Sequence, residues 1–194
     1  VVPFQELTYS DNLNLSGLFS NNSMLIFQEN NSSGGYGTHV VNIATNQLEQ
    51  FVGKTFMVSP YIENAISVNV HIIIGYDTIL YFPGSIQIIC NIDNKLIYLG
   101  ADYISFQSLS LAKLKILCCY VKKLVEYLRN LGYKGLLVFD FLITKDEIMF
   151  VEVNPRFQAS TPLLNTALKA KGLPSMQEMQ IAAFMDTNLP AQSE

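Results

Sequence analysis

Charge is what this sequence has least of. Of its 194 residues only 14% are Asp, Glu, Lys or Arg, against 49% apolar, and the formal net charge is −4. No basic patch marks it as a binder of nucleic acid. An anionic ligand would have to be gathered locally, by backbone N–H groups, a few cations or a metal. The chain is too apolar to be disordered, and its length suits one domain or two small lobes. There are three cysteines, Cys90, Cys118 and Cys119, without C-x-x-C spacing. That excludes a disulfide framework and points to reduced thiols in a cytoplasmic protein. Cys118 and Cys119 lie in an apolar helical run and are expected to pack as small hydrophobes. With His39 and His71, the two histidines, they form no zinc-ligand spacing. No nucleophile motif of the G-x-S-x-G kind occurs. No apolar stretch is long enough to span a bilayer and no signal peptide opens the chain, so no membrane partner is expected. Because Val1 is not a natural start, the chain is read as a piece of a longer polypeptide.

What is present alternates in period. Residues 1–23, rich in Asn and Ser, read as an irregular or weakly helical lead-in. Strand-like runs follow at 23–28, 39–43, 55–61, 65–74, 78–82, 85–90 and 96–99, with a short helical turn at 46–51. Tyr76-Asp77 and Asp93-Asn94 are turn signals. From 108 to 131 the period becomes helical: Leu111, Leu114, Leu117, Val121, Leu124, Val125 and Leu128 recur at three- and four-residue steps, ending at Asn130-Leu-Gly132. Two more strands, 135–143 and 148–153, flank the polar turn 144–147. Helices are expected at 161–171, with Pro162 in the first turn, and at 175–185. The fold class is α+β, with a mostly antiparallel sheet.

Three segments can carry chemistry. The first is the strand pair holding Asp140, then Glu152, Asn154 and Arg156. Alternation puts Glu152, Asn154 and Arg156 on one side and Val151 and Val153 on the other. If 144–147 makes a hairpin, Asp140 sits across from the Glu152 end. Two carboxylates, an amide oxygen and a guanidinium on one patch suit Mg²⁺ together with a phosphate or carboxylate. The bland alternative is a set of exposed edge charges or a satisfied ion pair with Arg156. Against it stands the cost of interrupting the apolar GLLVFDFLI run with an unpartnered carboxylate. The second segment is the loop 30–37, where Gly34, Gly35 and Gly37 would let amides approach an anion. No G-K-[ST] follows and a strand rather than a helix comes next, so it is neither a Walker loop nor a Rossmann fingerprint. Alone it is more often a flexible hairpin connection. The third is Thr55–Asn64, an apolar strand breaking at Pro60, whose backbone could meet a flat base while Glu63 reaches a ribose hydroxyl.

In this order and spacing the segments resemble the ATP-grasp superfamily, closest to the biotin carboxylase and carbamoyl-phosphate synthase type and related carboxylate–amine ligases. The resemblance covers roughly residues 1–185, and its most specific part is GLLVFDF…FVEVNPRFQAS. It implies two lobes with antiparallel sheets sandwiching the nucleotide, residues 1–60 forming the smaller and 61–194 the larger. It implies ATP and Mg²⁺ as cofactors, with Asp140, Glu152 and Asn154 as metal ligands and Arg156 and Asn154 as catalytic residues. Ser33, Gly34, Gly35 and Gly37 match the lid over the phosphates. Ser59, Tyr61, Ile62 and Glu63 match the adenine and ribose hinge. Gln28 falls at a polar phosphate contact, and Ser67, Asn69 and Gln87 are weaker matches to polar contacts with ribose or phosphate.

The sequence also departs from the family. Gln28 stands where a lysine is common, Ser59-Pro60 where the hinge often reads Glu-Lys, and Ser160 where carboxylases tend to carry a glutamate. The last points away from bicarbonate as substrate. The resemblance implies an ATP-dependent ligase that joins a small carboxylate to an amine or other nucleophile through an acyl phosphate. An upstream domain of the same polypeptide would help, and a homodimer is left open. The alternatives are a degenerate or regulatory nucleotide-binding module, suggested by Gln28 and the Ser-Pro hinge, and a β-rich interaction domain without a nucleotide site.

Overall fold

The structure, a computed structural model, describes residues 1–10, 15, 19, 22–30, 37–45 and 48–190. Ten strands and four helices are present among them: β1 Gln5–Thr8, β2 Met24–Glu29, β3 Thr38–Asn42, β4 Thr55–Pro60, β5 Ile66–Ile74, β6 Ile79–Tyr81, β7 Ser85–Ile92, β8 Lys95–Asp102, α1 Tyr103–Phe106, α2 Leu111–Asn130, β9 Gly135–Ile143, β10 Ile148–Asn154, α3 Thr161–Ala170 and α4 Met176–Phe184. The α+β class follows directly. The chain divides into two compact units, one of residues 1–65 with 88–99, the other of 66–87 with 100–194. Where the sequence reading made a single cut at 60/61, the observed division is discontinuous, because the chain crosses from one unit to the other within β7 and returns within β8.

In the first unit β1, β4, β2 and β3 form an antiparallel series, Gln5 opposite Val58, Phe27 opposite Val58 and His39 opposite Phe27. β1 falls inside the stretch expected to be an irregular lead-in. Its four residues have almost no hydrophobic alternation, and their strand form comes from pairing with β4. One sheet face carries the core, in which Leu25, Phe27, Val41, Phe51, Phe56 and Val58 bury their side chains. Phe51 and Phe56 meet edge to face at 5.4 Å. Glu29 N–H donates to the Gly37 carbonyl at 3.0 Å, closing the β2–β3 pair around 31–36.

In the second unit β5 and β9 pair over their full length, with β10 on the far side of β9 and β6 and the start of β7 against β5. Both faces of β5 and β9 are covered, so these strands are apolar almost throughout. α2 covers one face. Its buried stripe, Leu117, Val121 and Val125, packs on Val68, Val70, Ile72, Leu137, Phe139 and Phe141. Ser110 caps α2 through Lys113 N–H, and Gly132 at φ +83 ends it, the left-handed position glycine fills without a Cβ clash. Cys118 and Cys119 are exposed, contrary to the expected packing. At helical spacing the core stripe runs through 117, 121 and 125, which turns both thiols away from it.

α3 and α4 cover the opposite face around Ile73 and Leu136 with Leu164, Leu168, Met176 and Met179. A capping box between Ser175 and Glu178 starts α4. Beyond the reach of these two helices the same face turns polar. On β5, Ile73 gives way to His71, Asn69 and Ser67, and on β9, Leu136 gives way to Val138 and Asp140.

Candidate functional site

The polar end of that face is built from four neighbouring strands. Ser85 pairs with Asn69, Asn69 with Asp140, and Asp140 with Glu152, so these four residues form one row across β7, β5, β9 and β10. The row depends on an irregularity in β10. Phe150 pairs with Phe141 and Glu152 with Asp140, leaving Val151 as the extra residue of a β-bulge. In a regular strand Phe150 and Glu152 would share a face. The bulge lets Phe150 keep its place in the α2-side core while Glu152 joins Asp140 on the other side.

Asp140 is buried and is the hub of the cluster. Its Oδ2 accepts Asn154 Nδ2 at 2.8 Å and Gln158 Nε2 at 3.2 Å, while Oδ1 has only a long contact of 3.4 Å from Gln87 Nε2. Asn154 Nδ2 also donates to Glu152 Oε1 at 2.9 Å, so one amide bridges both carboxylates. Burial pushes the Asp140 carboxyl up to about 7, and the Glu152 charge beside it adds to the rise; the Gln158 bond and the Arg156 guanidinium pull the other way. Glu152 itself is exposed. Two close carboxylates, one of them buried, are unfavourable while both are ionised, and a cation between them would relieve that repulsion. Two carboxylates open to water on the Glu152 side suit a Mg²⁺ site that completes its shell from water and phosphate. The Asn154 amide, which here turns its N–H₂ to both of them, would offer its oxygen only in the flipped orientation. Among the described residues no three His, Cys, Asp or Glu side chains gather at one point, so a closed all-protein cage is not formed there.

Behind the carboxylates lies a second layer. Asn69, 1% exposed, donates to Gln158 Oε1 and to Ser160 Oγ, each at 3.1 Å, and accepts Ser85 Oγ–H at 2.6 Å. Ser67 Oγ donates to Gln87 Oε1 at 2.5 Å. Ser160 precedes α3 in the N-cap position without capping it through its side chain, because its hydroxyl is committed to Asn69. His71 pairs with Thr161 Oγ1 at 3.2 Å, and burial holds its imidazole down at about 4. It is therefore a neutral core histidine at neutral pH.

Of the residues singled out in the sequence, Asp140, Glu152, Asn154 and Gln87 come together here. Arg156 is exposed and its Nη1 donates to the Phe157 carbonyl at 3.4 Å. Gln28, Ser59, Tyr61, Ile62 and Glu63 belong to the first unit. Gln28 and Ser59 share the sheet face opposite Phe27, since Gln28 pairs with Met57 and Ser59 with Ile26. Gln28 and Glu63 are exposed, and Ser59, Tyr61 and Ile62 half-buried. Gly37 adopts φ +74 at the end of its loop. Ser33, Gly34 and Gly35 lie outside the described residues. Sequence reasoning passed over Gln158. The same two-residue step that carries Glu152, Asn154 and Arg156 reaches it, and that was the signal available.

A family model described as ATP-grasp domain matches residues 3–160. No curated protein matches the sequence. Among solved structures, N5-carboxyaminoimidazole synthetase from Staphylococcus aureus with ADP is similar at TM-score 0.71 and 16% identity, over 98% of this chain and 48% of that one. Biotin carboxylase from Campylobacter jejuni, in complex with a β-γ-ATP ligand, is similar at 0.60 and 20%, over 87% and 38%. The biotin carboxylase domain dimer of the Hydrogenobacter thermophilus 2-oxoglutarate carboxylase, holding MgADP and bicarbonate, is similar at 0.59 and 16%, again over 87% and 38%. The chain thus spans less than half the length of these relatives, and at such identities the likeness is one of fold.

Proposed function

The chain belongs to the ATP-grasp family, and from that premise we propose that it is the nucleotide-holding part of an ATP-dependent carboxylate–amine ligase. The row of Asp140 and Glu152, bridged by the Asn154 amide, carries this reading. In the proposed reaction a substrate carboxylate attacks the γ-phosphorus of ATP, ADP leaves, and an acyl phosphate forms. An amine or another nucleophile then attacks the acyl carbon and releases phosphate. Asp140, Glu152 and Asn154 would hold a Mg²⁺ ion, which would supply neutralisation of the phosphate charge when bound.

The chain's own groups do the rest. Asp140 and Glu152 concentrate negative charge where the cation binds. The Asn154 amide holds the two carboxylates together through its N–H₂, and its oxygen would be available to the cation only after the amide turned over. Arg156, exposed beside the pair, is free to grip a carboxylate or phosphate oxygen bidentately. Ser160 is buried with its hydroxyl used by Asn69, so no general base stands at that position, which supports an acceptor other than bicarbonate. The test is ADP release with Mg²⁺, ATP and a panel of small acids and amines. Glu152→Gln is expected to remove it, and full turnover by that variant would sink the reading.

A second reading, a nucleotide-binding module without ligase activity, is favoured by the first unit. Gln28 is neutral; the Lys54 cation lies 4.0 Å from Glu29, and His39, 3.9 Å from the same carboxylate, has its pKa lowered by burial. His39 is on the Phe27 side of the sheet, away from Gln28. Mg-ATP binding by calorimetry with no ADP release across the panel would support it.

A further inference from the structure

We propose that Asn69 is a positioning residue that fixes which end of the Gln158 amide faces Asp140. This rests on the reading of Asp140 and Glu152 as a metal–nucleotide site, and on the directionality of the hydrogen bonds behind them.

With a cation bound, Asp140 would be an ionised carboxylate, which only accepts hydrogen bonds. Asp140 Oδ2 must therefore meet the N–H₂ end of Gln158, and it does, at 3.2 Å. That leaves Gln158 Oε1 pointing inward, where it needs a donor. Asn69 Nδ2 supplies it at 3.1 Å and gives its other proton to Ser160 Oγ at the same distance. Asn69 Oδ1 in turn accepts from Ser85 Oγ at 2.6 Å. The relay Ser85, Asn69, Gln158, Asp140 thus has one polarity, and every polar atom of the Asn69 side chain is used. Asn69 is almost wholly buried, whereas Gln158 is half-exposed. The fixed member is the asparagine and the adjustable one the glutamine. With Asn154 and Gln158 both donating to Oδ2, the weakly bonded Oδ1 is left as the free lone-pair face of Asp140.

Reversing Asn69 would reverse the relay. In Asn69→Asp the side chain keeps its shape and its bond from Ser85 but can no longer donate. The Gln158 N–H₂ would turn inward to it, and a carbonyl oxygen would face the carboxylate of Asp140. Partners that orient metal ligands are worth roughly 10–100-fold in metal affinity, and a loss in that range is expected here.

The experiment uses Mn²⁺ with ADP as probe, read by electron paramagnetic resonance, on the chain, Asn69→Asp, Gln158→Leu and the double variant. Asn69→Asp is expected to weaken Mn-ADP binding about tenfold or more, and to add nothing further in the Gln158→Leu background. Equal binding by Asn69→Asp overturns the proposal. So does an unchanged loss in the double variant, since the new carboxylate would then act directly on the metal site. In metal-free protein held well above neutral pH, where Asp140 is ionised, the side-chain amide resonances of Gln158 should move in Asn69→Asp more than those of any other glutamine. If they stay, the relay is refuted whatever the protein binds. If they move while the parent binds no Mn-ADP, the relay stands and the nucleotide reading falls. Should Asn69→Asp not fold, Ser85→Ala removes the proton that locks the relay, and the same resonances and affinity must shift in the same direction; no shift overturns it.

Discussion

Glu152 stands directly across the β9–β10 pair from Asp140 although Phe150, two residues before it, faces the opposite side of the sheet. Val151 makes this geometry by bulging out of the strand, and it is exposed. A hairpin in the register set by Ile148 and Ile143 would bring Val151, not Glu152, opposite Asp140. The bulge therefore corrects the register as well as twisting the edge.

Deleting Val151 tests this account. A shortened β10 would run as a regular strand with Phe150 still on Phe141 and Glu152 still on Asp140. Mg-dependent ADP binding, measured by calorimetry, is expected to survive the deletion within about tenfold. A folded deletion variant with no binding would show that the local twist, not the register, is what the bulge provides.

Asp140 and His71 make opposite contributions to the pH dependence of stability. His71 drops from 6.5 to about 4 on folding, so the unfolded chain binds the extra proton; its contribution is complete above the unfolded value and is lost as pH falls toward 4. Asp140 rises from 3.8 to about 7, so the folded chain binds the extra proton. That contribution is present below 3.8 and is lost as pH rises toward 7. In metal-free protein the two slopes oppose each other over the shared window. Asp140→Asn should be more stable than the parent near about pH 8, on the order of 4 kcal/mol, and lose that advantage on acidification. His71→Gln should lose stability less than the parent as pH falls. Urea melts across the window decide both; parallel curves for parent and variants would refute the assignments.

A cation at Gln28 would restore what the family commonly has on this strand. Gln28 is exposed on the face shared with Ser59. A charge-assisted bond exceeds a neutral one by about 1 kcal/mol or more, so Gln28→Lys is expected to tighten ADP binding about tenfold. Unchanged affinity in calorimetry would separate Gln28 from the nucleotide.

Gly135 holds φ +103, and a Cβ there would lie 2.8 Å from Gln180 Oε1, the oxygen that accepts the Leu136 N–H and ties α4 to β9. Gly135→Ala is expected to cost about 1–3 kcal/mol in urea unfolding. A neutral substitution would mean that α4 shifts freely.

Much of this protein is legible in its residues alone. The apolar runs of β5 and β9, the apolar stripe of α2 with its Gly132 stop, and the proline and capping box that start α3 and α4 are local signals, and each produced its element. The family followed from Asp140 and the Glu152–Arg156 run, because chemistry of that kind demands fixed residue types at fixed spacing. Other features needed the folded chain. β1 exists only because β4 offers it an edge, and Cys118 and Cys119 are exposed because the core chose the other side of α2. Val151 bulges because Phe150 and Glu152 are needed on opposite faces at once. Asn69, Ser85, Gln158 and Ser160 are scattered over ninety residues; the family resemblance points to Asn69 and Ser160 one at a time, but nothing local marks the four as a set. Only burial around one carboxylate, which must have its hydrogen bonds satisfied, turns them into a single directed relay.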